Sequence, residues 1–339
     1  MPFKSFQEYR DQWDKAFRKD PPIPLNIDIE LSSLCNLACP FCFIADPEFD
    51  KGIKESKYQG ISKRRFMDLN LVRKIINESA AIGVPALKFN WRGESTLHPN
   101  FSEILNHAST ITHSNGVDKR RPAFFELLIN TNGNCPYTAI NGLMKCTKIM
   151  ISLDSMNPET YRKMRVKGNL LTAKKTINEL IVKGHPNIWV RRVITKENKN
   201  EDFMDVVKKE WGNRVKASEH YCFDRNHHGD GEHGEYMGAD LGRQYCGYPS
   251  QRLIISSSGL VYPCCIDTHE TMPVGDFNKQ SLLEIWNGDK MRDLRKELRQ
   301  GTFNSNICDG CTSWMSYQSP KREFVQDREE KSNAKISPS

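Results

Sequence analysis

The chain is predicted to be an α/β protein, a partial (βα)6 barrel followed by a small hairpin-plus-helix domain. Three observations predict it. Between residues 23 and 224, apolar strand-length runs alternate with helical patterns six times. The strand runs read as buried on both faces, as in a parallel sheet covered by helices, and six units leave the barrel open. Beyond residue 245 the pattern changes to two short strands around Ser257-Ser258-Gly259, a hairpin signal, and then a helical stretch and a Cys-x-x-Cys run.

Residues 1–22 form an amphipathic lead-in that ends at Pro21-Pro22. The six strands are placed at 23–31, 86–91, 124–130, 148–153, 187–194 and 215–221. The helices fall at 68–82, 100–112, 138–145, 158–183 and 201–211, the fourth with a break near Gly168. Asp68 and Asn157 are suited to N-caps, and Gly83 and Gly184 to C-terminal stops. Residues 225–245 are rich in glycine, histidine and acid and read as a linker or lid. His227, His228, Asp230 and His233 lie in it, a soft frame for a metal site. The second domain covers 246–318, with strands at 252–256 and 260–263 and a helix at 281–299. The charged segment 319–339 has almost no apolar residues and reads as disordered.

With 339 residues, the chain has room for two domains. No long apolar run is present, which argues against a membrane span. The charged N-terminus has no apolar centre, so it is not a secretory signal, and the expected compartment is the cytoplasm. There, the 11 cysteines read as metal ligands or free thiols rather than disulfides. The net charge of +7 has no Lys/Arg stripe with interleaved aromatics, so no nucleic-acid partner is expected.

Cys35, Cys39 and Cys42 stand in the run CNLACPFC, directly after the first strand. Three thiolates cannot complete the usual four-cysteine shell of an iron–sulfur cluster. A four-iron cluster held this way keeps one iron open to a small molecule. Zinc or three core cysteines are the competing readings, but no fourth Cys or His follows nearby. A second set comprises Cys246 and Cys264, which flank the hairpin, with Cys308 and Cys311 downstream. Together they make a full four-thiolate shell for a cluster or for a structural zinc. Cys265 is a spare ligand, and Cys135, Cys146 and Cys222 read as core or surface fillers.

The CxxxCxxC run with Phe41 before its last cysteine resembles the signature of the radical S-adenosylmethionine (SAM) superfamily. The resemblance implies a [4Fe–4S] cluster on Cys35, Cys39 and Cys42. Its open iron would be chelated by SAM, which is cleaved reductively to a 5′-deoxyadenosyl radical. The second set, with Gly259 and the stretch VGDFNKQSLLEIWNG, resembles the SPASM and shorter twitch domains of that superfamily. No cysteine follows Cys311, so one auxiliary [4Fe–4S] cluster is implied rather than two. Trp91-Arg92-Gly93-Glu94 resembles the family's GGE motif with Arg92 in place of the first glycine. The resemblance gives Gly93 and Glu94 to the SAM amino group. Ser152 and Asp154 go to its ribose, Arg165 to its carboxylate and the Phe41 backbone to its adenine.

On the substrate side, Arg92, Arg191 and Asp267 are catalytic candidates. Lys88, Asn90, Arg192 and His269 lie near them, and alternation keeps Arg191 and Arg192 from both pointing inward. The layout resembles that of sugar-alcohol dehydrogenases and sulfatase-maturing enzymes. The expected activity is therefore a two-electron oxidation of a sugar-like or aminocyclitol alcohol, with a flavodoxin- or ferredoxin-type electron donor. The alternatives are a peptide-modifying maturase, a redox-neutral epimerase and a non-catalytic metal-binding scaffold.

Overall fold

A computed structural model describes residues 3–16, 18–45, 65–112, 122–221, 246–305, 307–309 and 311. The expected linker with its four metal-type side chains, Cys222 and the segment from 319 lie outside the described residues. Six parallel strands appear where the apolar runs placed them: β1 (Asn26–Ile29), β2 (Ala86–Lys88), β3 (Glu126–Thr131), β4 (Lys148–Ser152), β5 (Ile188–Ile194) and β6 (Val215–Tyr221). The helices between them are α2 (Leu69–Ile82), α3 (Phe101–Thr110), α4 (Ile140–Leu143), α5 (Pro158–Met164), α6 (Leu170–Val182) and α7 (Phe203–Trp211). α1 (Phe6–Lys15) precedes them all.

The strands lie in the order β6-β5-β4-β3-β2-β1, as successive βα units require. One sheet face packs on the helices. Ile27 and Ile29 of β1, Leu87 of β2 and Ile129 of β3 join Ile75 and Ile76 of α2 in a continuous apolar core. The opposite face is concave and largely polar. At its lower end α1 closes it: Tyr9 stacks on Phe125 at 6.3 Å and its hydroxyl donates to Glu126 at 2.8 Å.

Cap chemistry sets the helix ends. The Asp68 carboxylate accepts from the N–H groups of Asn70 and Leu71, and Gly83 ends α2 at φ +87°. Asn157 caps α5 in the same way. The expected long helix at 158–183 breaks into α5 and α6, because Lys167 turns left-handed at φ +68° and Gly168 has no room for a side chain. Residues 138–145 form a 3-10 turn and the single-turn α4 rather than one helix.

The second domain departs from expectation in two respects. Its hairpin is not a separate sheet. β7 (Arg252–Ile255) pairs parallel with β1, and β8 (Leu260–Tyr262) and β9 (Gly275–Asp276) continue antiparallel, giving one nine-stranded sheet. Apolar β7, with Leu253, Ile254 and Ile255 fully buried, suits an interior strand as well as a hairpin arm. The expected helix at 281–299 is two, α8 (Leu282–Trp286) and α9 (Asp289–Arg299), separated at the extended Gly288. Buried Trp286 donates to the Pro21 carbonyl at 2.9 Å and carries the Arg295 guanidinium 3.7 Å from its ring centre. It joins the lead-in to the C-terminal helices. Trp286→Ala should cost about 3–5 kcal/mol, read as a lower urea midpoint.

Candidate active site: two cysteine sets and the turn between them

The first cysteine set follows β1. Cys39 is buried, and Cys35 and Cys42 are partly exposed. Three donors aim at their sulfurs: the Leu37 N–H at 3.4 Å and Asn132 Nδ2 at 3.9 Å from Cys35, and Arg165 Nη1 at 3.6 Å from Cys39. Burial pushes the Cys35 thiol up to about 11 and raises Cys39 as well, although the Arg165 charge pulls Cys39 back. Buried thiols with donors aimed at them suit metal-bound thiolates, whose charge a cluster neutralises. Among the described residues, no three His, Cys, Asp or Glu side chains converge as one small ion requires. A four-iron cube spaces its thiolates more widely.

A polar ladder holds this loop. Asn132 Nδ2 donates to Asn36 Oδ1 at 2.8 Å, and Asn36 Nδ2 donates to the Asn134 carbonyl at 2.8 Å. Asn134 in turn donates to the Tyr161 hydroxyl at 2.8 Å and accepts from the Asn169 N–H at 2.7 Å. Asn36 and Asn134 were not anticipated as site residues. The asparagine pair around Gly133, directly after β3, is the sequence signal for them.

The turn after β2 meets the loop from the other side. Gly93 has φ +65°, and a Cβ there would lie 2.2 Å from the Ser32 carbonyl oxygen and 2.7 Å from that of Leu34. The Glu94 N–H bonds the Leu34 carbonyl at 2.8 Å. The buried Glu94 carboxylate does more than await a ligand. Its Oε1 accepts from the Thr96 N–H (3.2 Å), Thr96 Oγ1 (2.7 Å) and Thr131 Oγ1 (2.9 Å), while Oε2 accepts from the Asn132 N–H (2.7 Å). Burial raises its pKa against the pull of these donors. With two lone pairs per oxygen, Oε2 keeps room for one more donor.

Trp91 and Arg92 reach the opposite way, into the second domain. Trp91 Nε1 donates to the Cys265 carbonyl at 3.0 Å. Arg92 forms a two-pronged pair with Glu30, Nε to Oε1 at 2.6 Å and Nη2 to Oε2 at 2.9 Å. It also donates to the Thr268 carbonyl at 3.2 Å and pairs with Glu270, whose other oxygen accepts from the Tyr262 hydroxyl at 2.8 Å. Glu270 adopts φ +58°, a conformation that a non-glycine residue holds only when its surroundings insist. Arg92 is thus a buried tie between the lobes. Glu30 and Glu270 were missed. The alternation of Asp28 and Glu30 with Ile27, Ile29 and Leu31 signalled acids on one face of β1.

Asp267 is likewise committed. Its carboxylate accepts from the Thr271 N–H (2.7 Å), the Thr271 hydroxyl (2.8 Å) and the Met272 N–H (2.8 Å), which pins the turn after Cys264-Cys265. Asp154 does not continue the alternation of β4. The strand ends at Ser152, and Asp154 stands at φ +61°, its Oδ1 accepting from the Val193 N–H at 2.8 Å and its Oδ2 lying 2.5 Å from Arg165 Nε. Arg165 also lies over the Phe41 ring at 5.5 Å, so these three residues form one assembly beside Cys39. On β5, Arg191 and Arg192 do part. Arg192 pairs with Glu219 and donates to the Asn198 and Glu201 carbonyls, whereas Arg191 stands opposite Ser152 on the concave face.

In the second set, Cys246, Cys264 and Cys265 pack around Tyr248, Ile254, Tyr262 and Trp91. Cys246 also touches the group formed by Cys308, Leu294 and Leu298. The Cys311 N–H bonds the Cys308 carbonyl at 3.2 Å, a tight turn that brings those two together. The Cys264 thiol is raised by its hydrogen bond with Cys265 and by burial.

The radical SAM superfamily model matches residues 29–209, and that of SPASM, an iron–sulfur cluster-binding domain, matches residues 246–312. The first match spans more than half of the chain, and the chain belongs to the radical SAM superfamily. These domains imply a 4Fe–4S cluster, SAM and an auxiliary cluster. Among curated relatives, the S-adenosyl-L-methionine-dependent 2-deoxy-scyllo-inosamine dehydrogenase of Niallia circulans is 32% identical over 69 residues, 20% of this chain and 28% of its own length. Mycofactocin maturase MftC of Mycobacterium ulcerans is 26% identical over 52% of this chain and 41% of its own length. A probable GTP 3′,8-cyclase of Methanosarcina mazei is 26% identical over 53% of this chain and 49% of its own length. The chain thus spans less than half the length of each of these three relatives. Among solved structures, BtrN in complex with AdoMet and 2-DOIA has a TM-score of 0.56 at 17% identity, covering 86% of this chain and 93% of that one. Native anSMEcpe with bound AdoMet gives 0.59 at 14%, covering 91% and 95%. These likenesses show the fold. No described helix is long and apolar enough to cross a membrane.

Two substitutions test the turn. Gly93→Ala forces a Cβ into the backbone of residues 32–34 and should lower the iron bound by the first set, leaving about four irons per chain on the auxiliary set by elemental analysis. Arg92→Met should cost about 3–5 kcal/mol, because it strands two buried carboxylates. The triple variant Glu30→Gln, Arg92→Met, Glu270→Gln removes the charges together and should recover most of that loss in urea denaturation.

Proposed function

We propose that this chain carries out a two-electron oxidation of an alcohol on a sugar-like or cyclitol substrate bound against the concave face of the sheet. The observation that carries this reading is the chemistry of that face. Asp28, Lys88, Asn90, Asn130, Ser152 and Arg191 occupy its inward strand positions, where a parallel sheet buried on both sides would carry Val, Ile and Leu. Asn90 Oδ1 and Asn130 Oδ1 on this face are buried without hydrogen-bond partners, and a polyhydroxylated ligand would supply them.

In this reading Cys35, Cys39 and Cys42 hold the cluster that binds SAM. Glu94 Oε2 and the Gly93 backbone would take the SAM amino group, Ser152 its ribose, and the Phe41 backbone its adenine. Arg165 acts beside Cys39, with Asp154 fixing its direction. Cys246, Cys264, Cys308 and Cys311 hold the auxiliary cluster. When bound, the first cluster and SAM supply a 5′-deoxyadenosyl radical that takes a hydrogen atom from the substrate carbon. The carbon radical so formed would lose its hydroxyl proton to solvent and one electron to the auxiliary cluster, which leaves a carbonyl. Arg191 stands opposite Ser152 on the concave face, where its permanently protonated guanidinium would orient the alcohol rather than take its proton. The relationship to the inosamine dehydrogenase of Niallia circulans supports an aminocyclitol, and that to the mycofactocin maturase MftC supports a maturase as the second reading.

Two measurements decide. Anaerobic turnover of candidate alcohols deuterated at the carbinol carbon should place deuterium in 5′-deoxyadenosine. Peptides alone transferring deuterium would replace the reading by the maturase. Replacing Cys308 and Cys311 by alanine should leave 5′-deoxyadenosine formation and abolish the oxidised product. A folded variant that still makes product at the normal rate would favour a redox-neutral reaction.

A further inference from the structure

We propose that Lys88 is a catalytic base: its amine takes the hydroxyl proton of the substrate alcohol and passes it on to solvent. This rests on the reading above and deepens it, by naming the residue through which the proton leaves.

Loss of a hydrogen atom from the carbinol carbon leaves a hydroxyl on a carbon radical. The O–H bond then breaks. Its proton forms an N–H bond on the neutral Lys88 Nζ, its electron pair stays on oxygen, and one electron leaves for the auxiliary cluster. Carbon and oxygen are then joined as a carbonyl, and the ammonium returns its proton to water.

The acids near the concave face are committed elsewhere. Asp28 serves Arg252 at 3.7 Å, the Tyr248 hydroxyl at 3.1 Å and Asn26. Glu126 accepts from Tyr9 and lies 4.0 Å from Arg10. At the rim, Glu30 and Glu270 hold Arg92, and Asp154 holds Arg165. Lys88 differs. It stands on β2 in register with Asp28 and on the same face. It makes no hydrogen bond, ion pair or ring contact with another described residue. Two more unmet groups adjoin it. Asn90 lies two residues further along β2, and Asn130 lies two beyond Leu128, the register partner of Lys88 on β3. The Oδ1 atom of each is buried without a partner. An amine and two amide oxygens on strands about 5 Å apart form a polar cradle for the hydroxyls of one ring.

Burial is the main influence on the amine and favours its neutral form. Arg252 on β7 and Arg191 on β5 act in the same direction, Asp28 on β1 and the Cys265 thiol in the other. The net effect holds Lys88 below the ordinary lysine range. Lys148 on β4 shares the face but lies over the Trp189 ring at 4.3 Å. The influence of Cys265 puts the amine within reach of the second cysteine set, so proton and electron leave toward the same side of the substrate.

The test uses anaerobic holoenzyme with SAM, carbinol-deuterated glucose, scyllo-inositol and 2-deoxy-scyllo-inosamine, and the variants Lys88→Met and Lys88→Arg. Arginine keeps the charge and the donors but cannot accept a proton. Carbonyl product per 5′-deoxyadenosine should fall by about a hundredfold or more in both variants. In the unsubstituted protein it should fall as the pH drops and the amine becomes protonated. Lys88→Met should keep the urea midpoint, since it severs no hydrogen bond or ion pair among the described residues. A near-normal product ratio in either variant overturns the base; in Lys88→Arg it would mean that a cation only orients the alcohol. A second readout needs no turnover. Trace acetic anhydride with peptide mass mapping should show Lys88 reacting half-maximally at a lower pH than the exposed Lys163 and Lys175. Titration together with those two overturns the proposal. Deuterium transfer from peptides alone would instead remove the alcohol reading, and the base with it, whatever the titration shows.

Discussion

Gly93 has no side chain, and the site depends on that. Its Cα sits against the backbone of residues 32–34, closer than any Cβ permits. That contact lets the turn after β2 touch the base of the cysteine loop, and Glu94 then fastens the same turn to the end of β3. Thr131 and Asn132 make that fastening, and two bonds from Thr96 hold the same buried carboxylate in direction. On its other side Trp91 and Arg92 grip the loop that carries Cys264 and Cys265. Four consecutive residues therefore set where two cysteine sets lie relative to each other.

The polar concave face is expensive in stability, and the ties around it offset part of that cost. Buried ions and orphaned amides lower the stability of an empty site. Their dipoles are already oriented, so little reorganisation is needed when charge moves on a ligand. The two left-handed acids, Asp154 and Glu270, follow the same logic. Each gives up a relaxed backbone to hold an arginine beside a cysteine set.

All six barrel strands could be read from sequence because each places apolar residues at alternate positions between turn residues. The caps Asp68 and Asn157 were readable for the same reason: their chemistry is local. What depends on distant contacts was not. Nothing in RLII tells β7 that its neighbour is β1 rather than only β8. Arg92 and Asp267 looked like candidates for chemistry because they are polar residues at strand or hairpin ends. Their partners, Glu30, Glu270 and the amides of 271 and 272, come from other segments or from a turn geometry that composition does not encode. Arg191 and Arg192 were separable because alternation along a strand is itself local.

The place of β7 bears on how the chain is made. β1 lies between β2 and β7, so β1 waits for residues 252–255 before one of its edges is paired. Until then that edge shows open N–H and C=O groups to any passing extended chain. The nascent barrel cannot mature as a finished unit ahead of the cysteine-rich region. Contacts between the two ends of the sequence, such as Trp286 on Pro21, also close late. Such long-range closure slows folding and lengthens exposure to aggregation. Expression of the barrel segment alone should therefore give insoluble material.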